Sequence, residues 1–227
     1  MPKILKRITS WSYSRLKTWE QCAQLAKFKY IDKLPEPGSP HLDRGNAVHK
    51  QLEDYVQGFG ELPAELRSRH GKELKAMRAC FAKGIAHVEE QWCFTKDWKS
   101  TGWFDADAWC RVKMDYCRDG GKVVDGVDYK TGKYRPGEYA GQLLQYCAAM
   151  LLMFPQAEEA NCKLMFFDVD APPTQLKLKR AYLQQTLNKL NEKVEPMLAD
   201  TRFAPTPGPL CKWCAFSKTK GGPCKVA

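Results

Sequence analysis

An acidic residue and a lysine two positions apart inside an apolar run mark where this sequence could do chemistry. The run is Val123-Val124-Asp125-Gly126-Val127-Asp128-Tyr129-Lys130-Thr131-Gly132. If it is a strand, Asp128 and Lys130 share one face, because side chains alternate with a period of two. A second carboxylate, Asp115, precedes them on a segment that also alternates. Two buried carboxylates side by side are unfavourable unless a cation lies between them, and hard oxygen donors suit Mg2+ or Mn2+. Taken alone, Asp128 and Lys130 read first as a surface ion pair beside a turn, since Asp-x-Lys is a common pattern. A second concentration of ligands closes the chain, where Cys211-Lys212-Trp213-Cys214 and Cys224 supply three thiolates, one short of a four-ligand site. The stretch from Gly126 to Lys133 resembles a phosphate-binding loop, but five residues separate its glycines and Tyr134 stands where Ser or Thr is needed. No ATP site is expected.

The elements that must position these groups follow from periodicity. Residues 12–32 read as a helix, with Leu16, Trp19, Ala23, Ala26 and Tyr30 at spacings of three and four and Ser12 or Ser14 as N-cap. A proline-rich loop at 35–40 ends it. Val48, Leu52, Tyr55 and Val56 predict a helix over roughly 43–57 with His49 at its edge, and Leu74 to Trp92 predicts a longer helix over 72–92. The period then changes to two. Ala108, Cys110, Val112, Met114 and Tyr116 form one face of a strand, with Arg111, Lys113 and Asp115 on the other. Asp119-Gly120-Gly121 is a turn, so 122–130 is its antiparallel partner, and Asp115, Asp128 and Lys130 converge at one end of the hairpin. A helix over 138–153, strands over 162–169 and 175–179, and a helix over 181–198 complete an α/β core: a small mixed sheet flanked by helices, with a largely helical N-terminal part and a cysteine-bearing C-terminal tail.

A length of 227 residues with 44% hydrophobic and 27% charged residues supports one compact domain with a real core rather than disorder. A formal net charge of +10 favours a polyanionic partner, since lysines and arginines facing phosphates release condensed counterions. The N-terminus has a basic tip but no signal-like apolar run, and no stretch approaches a membrane span, so a soluble cytoplasmic protein is expected. In a reducing compartment ten cysteines are not disulfides by default, and clustered ones point to metal or cluster ligation. Cys80, Cys93, Cys110, Cys117, Cys147 and Cys162 lie mostly within regular elements and read as small core or boundary residues.

The Asp128-Tyr129-Lys130-Thr131-Gly132 segment resembles the signature of the PD-(D/E)xK nucleases, specifically their RecB-like branch. Four further stretches resemble that branch in order: Ser12 to Cys22 as the first helix, Arg44-Gly45-Asn46-Ala47-Val48-His49, Arg111 to Asp115, and Gln142-Leu143-Leu144-Gln145-Tyr146. The resemblance runs from Ser12 to Cys224. Aspartate at 128, where many members carry glutamate, is a departure that shortens the stem and still permits ligation. The resemblance implies a restriction-endonuclease-like fold and a Mg2+- or Mn2+-dependent deoxyribonuclease. Its metal ligands would be His49, Asp115, Asp128 and the carbonyl of Tyr129. Lys130 would position or deprotonate the attacking water, and Gln142 and Tyr146 would contact DNA or brace Lys130. Glu53, one turn after His49, is a weaker candidate for a second metal.

The same resemblance implies the missing fourth thiolate. Cluster-bearing members use one cysteine of the first helix and three at the C-terminus, here Cys22 with Cys211, Cys214 and Cys224. A 4Fe-4S cluster is expected ahead of zinc, since paired knuckles would have favoured zinc. The nine residues between Cys214 and Cys224 exceed the usual gap, with Lys218 to Gly222 as the apparent insertion. One nuclease domain over 1–227 is expected: a helical part at 10–95, a catalytic core at 100–200, and a tail at 201–227 that joins Cys22. The implied role is exonucleolytic resection of DNA ends for recombination and repair, as in phage enzymes. It would act in the host cytoplasm alongside a single-strand annealing protein and a single-strand binding protein. A CRISPR-adaptation nuclease, or a non-catalytic four-cysteine DNA-binding module, fits the same residues.

Overall fold

A computed structural model describes residues 6–226. In chain order the elements are α1 (Tyr13–Gln21), α2 (Ala23–Ala26) running into a π-turn (Lys27–Ile31), α3 (Pro40–Gln57), α4 (Ala64–Ala82), β1 (Ala86–Phe94), β2 (Ser100–Thr101), β3 (Cys110–Asp119), β4 (Val123–Lys130), α5 (Ala140–Met153), β5 (Glu159–Phe166), β6 (Thr174–Lys179) and α6 (Leu183–Ala199). The chain forms two compact units. One is Ser39–Asn188; the other joins the chain up to Gly38 with the chain from Lys189 onward. Among the described residues no helix is long and apolar enough to cross a membrane.

The continuous unit is a six-stranded mixed sheet in the order β2-β1-β3-β4-β5-β6. All neighbours are antiparallel except β4 and β5, which run parallel because α5 carries the chain across between them. Helices α3 and α4 cover one face: Val48, Leu52, Tyr55, Leu74 and Met77 pack with Tyr116, Val127, Tyr129 and Met165 of the sheet. Helix α5 covers the other. At Gly126 a β-carbon would stand 2.8 Å from the Met114 methyl and 2.9 Å from the Met150 sulfur, so the absent side chain lets α5 sit close to β4. The restriction-endonuclease-like α/β core expected from the sequence is therefore present.

Two local expectations fail. The apolar spacing of Ile85, Val88 and Trp92 mimics a helix, yet α4 stops at Ala82. Gly84 takes φ 71°, which ends the helix, and the chain becomes a strand paired along β3 from Ala86↔Arg118 to Phe94↔Cys110. The single first helix is also broken. Cys22 is extended (φ −164°, ψ 115°) between α1 and α2, so it lies at a joint and not on a helix face.

In the second unit Trp11, Leu16, Phe28, Val194, Met197, Phe203 and Phe216 are buried. Trp19 Nε1 donates to Asp200 Oδ2 at 2.9 Å, which ties α1 to the end of α6. The Phe28 and Phe216 rings lie 5.4 Å apart.

Candidate active site

The hairpin ladder between β3 and β4 ends at Tyr116↔Val127, and beyond it the two strands part. Asp115 lies at the gap. Its Oδ2 accepts the Tyr129 N–H at 2.7 Å, replacing a ladder bond by a carboxylate and fixing where that carboxylate points. Its Oδ1 lies 3.2 Å from His49 Nδ1, while His49 Nε2 faces the Tyr129 carbonyl at 3.1 Å. Helix α3 delivers His49 there because Val48 and Leu52 pin its apolar stripe to the sheet. Each ring nitrogen thus faces an acceptor, an arrangement that suits the imidazolium. Burial pushes the His49 pKa down, but the hydrogen bond and charge of Asp115, aided by Asp128 and Glu89, outweigh it and leave the pKa raised.

Asp128 and Lys130 share a face of β4, as the period of two requires, and that face looks toward α5. Lys130 Nζ lies 2.5 Å from Asp128 Oδ2, a buried oxygen held by this ion pair without a hydrogen bond. Oδ1 accepts from Tyr146 Oη at 2.7 Å and from Gln142 Nε2 at 3.4 Å, and Gln142 also donates to Tyr146 Oη at 2.8 Å. Gln142 and Tyr146 therefore brace Asp128, where the sequence suggested that they contact DNA or brace Lys130. Burial first, and the like charge of Asp115 behind it, push the Asp128 pKa up against the opposing pull of Lys130. We expect Tyr146→Phe, which removes only the hydroxyl holding this carboxylate, to cut hydrolysis about 10–100-fold in steady-state assays, the usual loss for an outer partner of a ligand. Wild-type turnover in that variant would remove Tyr146 from the site.

The sequence-derived residues therefore form two clusters on the two faces of the sheet, coupled through the charges of Asp115 and Asp128, with Asp128 outside the group of ligand atoms that lie mutually within 4.8 Å. His49, Asp115 and the Tyr129 carbonyl approach from the α3 face, and Asp128 with Lys130, Gln142 and Tyr146 from the α5 face. Glu53 lies a turn beyond His49 and pairs with Lys50 at 3.2 Å. Among the described residues the one group with ligand atoms mutually within 4.8 Å is His49, Glu89 and Asp115. Glu89 was not singled out in the sequence, because 85–92 read as helix. The available signal was the acidic pair Glu89-Glu90 inside an apolar segment that alternates as readily as it repeats by three and four.

In the other unit, Cys22, Cys211, Cys214 and Cys224 line one cavity. The Thr206 N–H donates to Cys22 Sγ at 3.5 Å and the Gly208 N–H to Cys211 Sγ at 3.4 Å. The apparent insertion before Cys224 is a compact 3-10 turn (Lys218–Lys220). Gly221 at φ 74° reverses it and returns Cys224 N–H to the Phe216 carbonyl at 3.0 Å. Gly222 packs so tightly there that a β-carbon would lie 2.3 Å from the Phe216 carbonyl carbon. The extra residues are thus folded back and do not carry Cys224 away. Cys93, Cys110, Cys117, Cys147 and Cys162 are buried and Cys80 partly so, as expected of packing residues.

The sequence model of the PD-(D/E)XK nuclease superfamily matches residues 10–219. No curated protein matches. Among solved structures, the chain is similar to SSO0001, at 15% identity and TM-score 0.47, over 99% of this chain and 91% of that one. It is also similar to a protein of Eubacterium rectale provisionally described as an exonuclease, at 14% identity and TM-score 0.49, over 91% and 87% of the respective chains.

Proposed function

The chain belongs to the PD-(D/E)XK nuclease superfamily, which implies DNA as substrate, and from that premise we propose that it is a Mg2+- or Mn2+-dependent deoxyribonuclease of the RecB-like branch that digests DNA from its ends. One observation carries the reading: the gap beyond Tyr116↔Val127 collects an imidazole, two buried carboxylates, a main-chain carbonyl and an ammonium. Oxygen-rich donors with one imidazole fit a hard divalent ion, and Asp128 Oδ2 is a buried acceptor without a hydrogen bond. In this reading His49, Asp115, Asp128 and the Tyr129 carbonyl hold the cation. Bound there, it supplies polarisation of the phosphoryl oxygen and acidification of water. Lys130, a donor with no acceptor, orients the attacking water and stabilises charge developing on the phosphate. Tyr146 and Gln142 keep Asp128 from rotating away, and the net charge of +10 draws the polyanion in.

The finer reading is a single nuclease domain carrying a 4Fe-4S cluster on Cys22, Cys211, Cys214 and Cys224. It resects DNA ends for recombination beside a single-strand annealing protein and a single-strand binding protein. Four cysteines around one cavity, two of them already accepting main-chain N–H groups, support the cluster. The deciding experiment is an anaerobic Mg2+ or Mn2+ assay on end-labelled linear and closed circular DNA. Loss of linear DNA alone, dependent on the cation, is expected. Salt-sensitive binding without cleavage would leave a DNA-binding module in place of an enzyme.

His49 gives this reading a pH signature. A cation needs the neutral imidazole, whereas Asp115 holds the ring protonated to a higher pH than usual. Below that raised pKa the proton competes, so Mn2+ affinity rises with pH, by up to about tenfold per unit, and levels off above it. Without metal the sign reverses. The protonated ring contributes stability below its unfolded pKa, and that contribution is lost as pH climbs through the folded value. Calorimetric Mn2+ titration in buffers of differing ionisation enthalpy should show proton release. Release that is absent at pH 6 and 7 alike would remove His49 from the ligands.

A further inference from the structure

We propose that Glu89 is an additional ligand of the cation at this centre, a role that rests on the metal-dependent reading above. Val88 pairs with Tyr116 and Glu90 with Met114, so the unchanged register sets Glu89 across from Asp115. In a regular strand Val88 and Glu89 would point to opposite faces, as would Asp115 and Tyr116. Here both strands break that alternation at the same rung. Val88 and Tyr116 both pack into the cluster formed with α3 and α4. Yet Glu89 and Asp115 turn to the same side, where their carboxylates and the His49 ring lie mutually within 4.8 Å. Met114, one residue before Asp115, still faces Met150 of α5.

The break is made by Glu89 itself, which takes φ 55°. That conformation is unfavourable for a residue with a β-carbon and is the price of sending the carboxylate toward His49 instead of to the opposite face. Strain of this kind collects where a site needs a side chain that regular structure would misdirect. The local charges point the same way. Glu89 is paired with the Lys113 ammonium, and Lys113 also feels Asp115 and Glu53. A monovalent cation therefore already sits against this acidic group, and the two charges of Glu89 and Asp115 match a divalent ion. Glu89 would then ligate from the α3 side, opposite Asp128, and Lys113 would be displaced when metal enters.

The test is Mn2+ binding to the full chain, read by electron paramagnetic resonance and by the shift in melting temperature, on the wild type, Glu89→Gln, Lys113→Gln and Asp115→Asn. Glu89→Gln, which keeps the shape and removes the charge, is expected to weaken Mn2+ at least tenfold. Lys113→Gln is expected to tighten it several-fold by removing a competitor, whereas a purely structural ion pair would lower stability and leave affinity unchanged. If Glu89→Gln does not fold, Glu89→Gly adopts φ 55° without cost, removes the carboxylate, and should show the same loss of affinity with a higher metal-free melting temperature. Wild-type affinity in the Glu89 variants with loss in Asp115→Asn overturns the ligand role and leaves the nuclease reading standing. Wild-type affinity in all of them overturns both.

Discussion

Lys130→Met is expected to abolish DNA hydrolysis, with turnover falling by about 10³–10⁴-fold, while Mn2+ affinity does not fall. The two halves of that result belong together. Lys130 has no acceptor and cannot ligate a cation, so its removal takes away only water positioning and charge stabilisation, whose loss in comparable sites is of that order. A drop of 10³–10⁴ corresponds to about 4–5.5 kcal/mol of barrier. Its ammonium is also the counter-charge at Asp128 Oδ2, so the variant leaves a buried carboxylate without it. Stripping one partner from a buried pair costs about 3–5 kcal/mol when the other stays charged. Asp128 escapes part of that cost by taking up a proton, because burial already pushes its pKa up and Lys130 was the main opposing influence. An acid whose folded pKa is raised favours folding below that pKa and disfavours it above. The melting temperature of Lys130→Met should therefore fall more, relative to wild type, at pH 8 than at pH 5. Single-turnover cleavage near the wild-type rate would remove Lys130 from the chemistry. An equal loss of stability at both pH values would show that Asp128 does not titrate.

Much of the hairpin was legible because two local rules agree there. The Asp119-Gly120-Gly121 turn sets the pairing, with Gly121 at φ 76°, and the period of two then places Asp128 and Lys130 on one face. What periodicity does not encode is departure from itself. The expectation that Tyr116 continues the face of Val112 and Met114 fails at Asp115, where the chain breaks alternation and turns Tyr116 toward α4. Glu89 was hidden for a related reason: Ile85, Val88 and Trp92 satisfy a helical spacing, and only pairing with β3, a contact distant in sequence, makes the segment a strand. The splitting of the ligand set between two faces of the sheet was also beyond the pattern. Alternation says that Asp128 and Lys130 lie together, but the point at which β3 and β4 part, and hence which carboxylate faces His49, depends on Asp115 capturing the Tyr129 amide. The cysteines show the same division. Their number and order were readable, whereas the extended backbone at Cys22 and the local bonds that fold the chain back at Gly221 and return Cys224 leave no periodicity to read.

Cys214→Ser should leave the chain colourless and its C-terminal segment open to protease, whereas wild type prepared without oxygen should be brown and resistant. Little else holds the segment. From Pro209 to Lys225 its regular structure is two 3-10 turns, which hold only a few main-chain hydrogen bonds each. Trp213 and Leu210 are largely exposed, at 72% and 58%, and Phe216 is the buried apolar anchor of the stretch. A segment with so little burial does not recover the backbone entropy of ordering, about 1–2 kcal/mol per residue. A four-thiolate centre would. Structural zinc in small domains contributes roughly 10–16 kcal/mol, and loss of even part of such a sum exceeds the margin by which a small unit stays folded. Cys214 sits between the two turns, its N–H donated to the Cys211 carbonyl at 3.1 Å and its carbonyl accepting from Ser217 at 3.3 Å, so serine preserves the backbone geometry and removes only the thiolate. Limited trypsin digestion should cut the variant at Lys212, Lys218 or Lys220 within the time that wild type survives. Iron, sulfide and zinc analysis of anaerobic wild type identifies the group: iron with acid-labile sulfide is expected, and stoichiometric zinc in a colourless protein would replace the cluster with a zinc site. Equal protease resistance in Cys214→Ser and wild type, with neither metal present, would mean that apolar packing alone orders these turns.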